Sequence, residues 1–223
     1  MFKTHSILAV CFLAATLSTA RGQEHHVERI DGLEAEGVSS EITQLLAQQG
    51  VRVKRGSTRT VCEIWFCKQW QLDADFKSTP ERLYPFTPGQ LIGLLHLPRK
   101  GAEFRDQSVG SGWYTLRFGL QPVDGNHEGT SPTRDFLLLV DAAEDDLPET
   151  WEMKNLEKVS AKAAGSSHPA MMCLQRATDG SELAIRHDES NDWWILHVVG
   201  QGIANGKTKQ VPIDLVVVGH AAE

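Results

Sequence analysis

Between Val51 and Val218 the apolar positions recur mostly with period two, the repeat of half-buried strands. Val51–Lys54 and Arg59–Lys68 read as strands joined through Gly56-Ser57, with Ile64 and Phe66 on one face and Trp65 on the other. Gln90–Leu97 follows as a buried strand bounded by prolines, after a proline-rich connection from Leu72 to Pro88. Gly101–Gly112 is a polar turn region leading into a central strand that opens at Trp113. Asp135 to Val140 forms its partner run across a polar loop. The remainder reads as an antiparallel meander: Met171–Arg176, Leu183–His187, Trp193–Val199 and Gln210–Val218. Asp179-Gly180 and Asn205-Gly206 supply the positive-φ residues that tight hairpin turns require. Pro212 cannot donate to a ladder, which predicts an edge or a bulge at that point of the last strand.

Only two segments have helical periodicity. Ser39 or Ser40 can cap a helix over Glu41 to Gln49, with Ile42, Leu45 and Leu46 as its apolar stripe and Gly50 as its stop. Asp146-Leu147-Pro148-Glu149 has the form of a capping box ahead of Met153, Leu156 and Val159. The pattern predicts a mainly β chain: a single antiparallel β-sandwich domain over residues 39–220 with two short helices. The sandwich is immunoglobulin-like or jelly-roll-like, with its strand order left open. Gly112-Trp113-Tyr114-Thr115-Leu116 resembles the tyrosine corner of immunoglobulin-like sandwiches, in which a tyrosine hydroxyl bonds back to nearby backbone.

The first residues have a different pattern. Lys3 precedes an apolar run from Ile7 to Leu17, and small residues follow at Ser18-Thr19-Ala20. Residues 1–22 are expected to be a secretory signal peptide, too short to span a bilayer comfortably, and the destination is periplasmic or secreted. No membrane span is expected after its cleavage. Residues 23–38 lack periodicity and read as a mobile arm. Cleavage after Gly22 would make His25 the third residue behind a free amine, a copper-chelating arrangement; an exposed histidine pair in a leader is the simpler reading.

Charge narrows the partners. The chain carries a formal charge of -7, and removing residues 1–20 takes away one positive charge, Lys3, to leave -8. An acidic chain whose one basic run, Arg52-Val53-Lys54-Arg55, alternates like the solvent face of a strand is not expected to bind nucleic acid. A protein or glycan ligand remains. Beyond the export segment the cysteines are Cys62, Cys67 and Cys173. Cys62 and Cys67 would be ~17 Å apart in a regular strand, which makes Cys173 the expected disulfide partner of either one.

The densest group of candidate ligands lies in the loop between the central strands. Asp124, Asn126, Glu128 and Asp135 place oxygen side chains at positions one, three, five and twelve, with Gly129 at six. This spacing resembles the EF-hand calcium loop and implies a Ca²⁺ site at those four residues. Position twelve departs from the pattern by being aspartate, position eight is Ser131 rather than an aliphatic residue, position nine is Pro132, and the flanks read as strands rather than helices. His127 within the loop and Trp113 beside it are the candidate ligand-binding residues. No nucleophile elbow, zincin helix, phosphate-cradling loop or redox cysteine pair occurs. The expected role is therefore an exported, non-catalytic binding or accessory module. A hydrolase built from His127 and Asp124 or Asp135 with a second histidine is the alternative. A carbohydrate-binding module using Trp65, Trp70, Trp113, Trp193 and Trp194 is another.

Overall fold

A computed structural model describes residues 24–123, 133–180 and 182–221. Residues 1–22, expected to be a signal peptide, and the loop residues Asp124, Asn126, His127 and Glu128 lie outside the described residues. In chain order the elements begin with β1 (His25–Asp31), α1 (Ser40–Thr43), β2 (Gln49–Arg55), β3 (Arg59–Phe66) and β4 (Trp70–Gln71). Next come β5 (Leu91–Leu97), β6 (Gly101–Ala102), β7 (Ser108–Val109), β8 (Gly112–Leu120) and β9 (Asp135–Asp141). The chain closes with α2 (Met153–Ala163), β10 (Met171–Gln175), β11 (Ala184–Asp188), β12 (Trp193–Ala204) and β13 (Lys207–Val218).

The β-rich chain with two helices is present. Its ladders, however, run without interruption through one sheet in the order β1-β2-β3-β5-β8-β9-β10-β13-β12-β11, with β4 added in parallel to β12. The sandwich expectation called for two stacked sheets; here β10 pairs on one side with β9 and on the other with β13, and joins the halves. The sheet is strongly curled. Eight strand steps separate β1 from β12, a distance of ~38 Å if the sheet were flat. Yet the rings of His25 on β1 and Trp194 on β12 lie 4.5 Å apart. Bulges at Val53/Lys54, Leu91/Gly93 and Trp194/Ile195 increase the local bend.

Side-chain alternation sorts the two faces. Val53, Ile64, Leu95, Leu116, Leu137, Leu174, Leu196 and Leu215 converge in one apolar cluster inside the curl. Phe136, Leu138, Val140, Cys173, Ile195 and Val216 face outward and are covered by Leu156 of α2 and by Phe104. One end of the interior is filled. Trp70, Phe86 and Phe118 meet edge to face there, Tyr84 stacks on Phe86, and the Trp70 indole donates to Ile92 O at 2.9 Å.

Several elements depart from the expected ones for identifiable reasons. His25–Asp31, placed in a mobile arm by its lack of periodicity, pairs residue for residue with β2. The first helix has a single turn. Ser39 caps it through Glu41 N, but Leu45 O, Leu46 and Ala47 N are taken by the end of β3 and the residues after it. The second helix starts at Met153, capped by Glu152, rather than at Asp146. The residues before it are held elsewhere: Arg117, wholly buried on the outer face of β8, bonds both oxygens of Asp145 and the carbonyls of Gly89, Leu147 and Glu149. Cys62, Cys67 and Cys173 are buried and not joined to one another by a disulfide. Cys173, out of phase with Leu174, belongs to the outer face and Cys62, in phase with Ile64, to the inner one, so a bridge between those two would have the sheet between its ends. The tyrosine corner is formed: Tyr114 Oη donates to Gly110 O at 3.1 Å. Pro212 sits opposite Val199, beyond the two-residue pairing of β13 with β10, so its missing N–H interrupts no ladder.

Candidate functional site

The antiparallel order brings the starts of β1, β3, β10 and β12 and the ends of β2, β5, β11 and β13 to one end of the curl. This end is open. A cavity of about 1090 Å³ reaches into it, with Val61, Cys62, Leu95, Leu97, Leu139, Met172 and Val217 as its apolar walls. The β6–β7 hairpin forms part of the rim. Glu103 fixes that hairpin: its buried carboxylate accepts from the amides of Arg105, Gln107 and Met171 at 2.8, 3.1 and 3.0 Å. Burial pushes its pKa up, partly offset by those three bonds.

The polar rim gathers where the two ends of the sheet meet. Trp194 is flanked by His187, stacked at 4.6 Å and 13°, and by His25, tilted at 50°. Asp192 Oδ1 holds His187 Nε2 at 2.8 Å. His25 is 6% exposed, and its Nδ1 is buried with no hydrogen-bond partner among the described residues. Burial, and then the charges of Arg55 and His187, lower its pKa to about 4; Asp192 acts in the opposite sense. The ring is therefore neutral at neutral pH. Exposed Arg55 and His220 also stand at the rim, among the acidic groups of Glu24, Asp106, Glu189 and Asp192.

Such a site can enclose an apolar body and meet a polar head at its mouth. Nucleophilic chemistry is poorly served. Cys62 is the one thiol or hydroxyl among the described lining residues, and burial pushes it up to about 12, far from the thiolate that attack requires.

Of the residues expected to form a site, Asp135 and Trp113 are described, and both fall elsewhere. Asp135 starts β9 at the opposite, filled end, wholly buried. Its Oδ2 accepts from Leu83 N at 2.9 Å and its Oδ1 from Tyr84 N at 3.0 Å, so each oxygen already ties the 72–90 connection to the sheet. Asp124, Asn126, His127 and Glu128 lie outside the described residues, and among those described no three His, Cys, Asp or Glu side chains converge as a metal site. Trp113 lies half-buried on the outer face, stacked on His96 at 4.3 Å and 5.6 Å from Trp65. His96 in turn binds Glu63 at 2.8 Å, and Arg52 joins Glu63 to Glu28. One ring face of Trp113 is thus already occupied.

In the sequence His25 reads only as a copper-chelating possibility, Arg55 only as part of a basic run and Trp194 only as part of a glycan platform, and they are not expected to share a site with His187, although part of the signal is present. Ile185-x-His187 and Trp194-x-Leu196 alternate in phase, which places His187 and Trp194 on the core-facing side of adjacent strands. Nothing local marks His25, because its burial comes from a strand distant in the chain. No helix among the described residues is long and apolar enough to cross a membrane. No family model, curated protein or solved structure matches the chain, so the reading of this site rests on its geometry.

Proposed function

We propose that the chain is an exported, non-catalytic binding module that holds a single amphipathic organic anion in the open end of its curled sheet. The observation that carries this reading is the cavity of about 1090 Å³ with apolar walls and a histidine- and arginine-bearing rim. Its size lies just above the ~300–1,000 Å³ range of small-molecule sites. Leu95, Leu97, Leu139, Met172 and Val217 would take the apolar body. Arg55 and His220 would meet the charged head, and the unpartnered His25 Nδ1 would supply a further hydrogen bond. Export is supported by Lys3 and the apolar run Ile7 to Leu17. The glycan alternative through Trp113 is disfavoured by the His96 ring stacked against it.

Tryptophan fluorescence provides the test, since Trp194 forms one wall of the cavity. Dodecanoate below its micellar concentration should quench emission saturably, at one molecule per chain. Dodecyltrimethylammonium, with the same tail and the opposite charge, should bind about tenfold more weakly. Met172→Trp, which fills the cavity, should weaken dodecanoate by about tenfold or more while the protein stays folded. Unchanged affinity in that variant, or preference for the cation, would refute the proposal.

A further inference from the structure

A second cleft, of about 400 Å³, lies on the outer face of the sheet under the β10–β11 connection. His197, 4% exposed, stands opposite Asp214 on the neighbouring strand, and Asp214 Oδ1 meets His197 Nδ1 at 2.5 Å. A carboxylate only accepts, so Nδ1 carries the proton, and in the neutral ring Nε2 is left as an acceptor. That Nε2 is buried and has no partner among the described residues.

Arg186 contributes the complementary group. Its Nη2 reaches Asp214 Oδ2 at 3.2 Å, but its Nε is buried without a partner among the described residues. Oδ2, the oxygen that Arg186 reaches, is already crowded: it also accepts from the Thr178 amide at 3.3 Å and hydroxyl at 3.2 Å. One unpaired acceptor and one unpaired donor therefore belong to two side chains that line a single cleft. A buried donor or acceptor left without a partner is costly, so a ligand that pairs both is favoured. Gly180 leaves approach space, since a Cβ there would stand 3.6 Å from Nε2.

We infer that this cleft is a second binding site, for the vicinal diol of a neutral, monosaccharide-sized polyol. One hydroxyl donates to His197 Nε2, and the oxygen of its neighbour accepts from Arg186 Nε. Each hydroxyl is both donor and acceptor, which suits a mixed pair of this kind. Asp179 and Glu182 also line the cleft; they oppose an anion there and can accept from further hydroxyls. This site is independent of the cavity inside the curl and shares no lining residue with it.

Titration by nuclear magnetic resonance, following the His197 imidazole nitrogens and the amides of Thr178 and Ala184, is the test. The probes are D-mannose, cis-cyclohexane-1,2-diol, cyclohexanol and lactate. Mannose and the diol should give saturable shifts at these nuclei, with cyclohexanol and lactate about tenfold weaker. Arg186→Lys keeps a cation beside Asp214 but lacks the Nε donor, and should weaken the diol about tenfold with its spectrum otherwise intact. Shifts absent up to about 100 mM, stronger binding of lactate, or an unaffected Arg186→Lys variant would each overturn the assignment. If that variant fails to fold, the comparison of diol, cyclohexanol and lactate on the wild-type protein decides.

Discussion

Replacing Asp145 by alanine tests how the outer face of the sheet is held together. Arg117 and Asp145 are both fully buried, joined at 2.6 Å through Nε and 2.8 Å through Nη2, with Thr115 also donating to the carboxylate. Removing the carboxylate leaves an uncompensated guanidinium in the interior, a loss of about 3–5 kcal/mol. For a domain of this size each kcal/mol moves the melting temperature by ~2–4 °C, so the midpoint should fall by roughly 6–20 °C. The double variant Arg117→Met/Asp145→Leu should recover only part of this. Arg117 also satisfies the carbonyls of Gly89, Leu147 and Glu149, and those acceptors would stay behind without their donor. Urea unfolding monitored by tryptophan emission and circular dichroism measures both. A loss below about 1 kcal/mol for Asp145→Ala would refute the reasoning, because a buried charge stripped of its partner cannot cost so little.

Three further outcomes are expected. His25 has its pKa lowered to about 4 from an ordinary 6.5, so between those values the unfolded chain takes up a proton that the folded one refuses. Stability from this source is complete above about 6.5 and is lost as the pH falls towards 4. The loss is at most about 3 kcal/mol and nearer 1–2 at a solvent-facing rim. Wild type should therefore fall relative to His25→Phe between about pH 7 and 4.5 in urea titrations, and parallel profiles would remove the argument. Gly89 has φ +88° and sits so close to Trp151 that a Cβ would lie 1.9 Å from its carbonyl oxygen. Gly89→Ala should cost about 2–4 kcal/mol by denaturant unfolding, and a neutral change would contradict that packing. The thiols of Cys62 and Cys67, each pushed up to about 12 by burial, and that of buried Cys173 should react with a thiol reagent only in denaturant; rapid labelling of the native protein would contradict their burial.

Much of the strand pattern was legible because period-two alternation is written locally. Ile64 and Phe66 share one face and Trp65 takes the other, as expected, and Asn205-Gly206 makes the hairpin between β12 and β13. The curl was not legible. It depends on bulges at Val53/Lys54 and Trp194/Ile195, which shift the register by single residues within otherwise regular runs. β1 was missed because its burial comes from β2 and from Trp194, nearly 170 positions away, rather than from any rhythm of its own. The start of α2 was misplaced for a related reason. Asp146-Leu147-Pro148-Glu149 has helix-starting chemistry, but a buried arginine on β8 takes the carbonyls of Leu147 and Glu149. The site followed the fold. Carboxylate spacing drew attention to Asp135, whose two oxygens hold backbone amides, whereas the cavity is assembled from residues scattered between Glu24 and His220.

The cavity exists only if the two ends of the sheet meet around Trp194. A nuclear Overhauser experiment on the folded protein measures this directly. With ring centroids at 4.5 Å for His25 and 4.6 Å for His187, cross-peaks from both imidazoles to the Trp194 indole are expected. Cross-peaks from His187 alone, with none from His25, would mean that β1 lies away from β12, and the cavity would lose its wall.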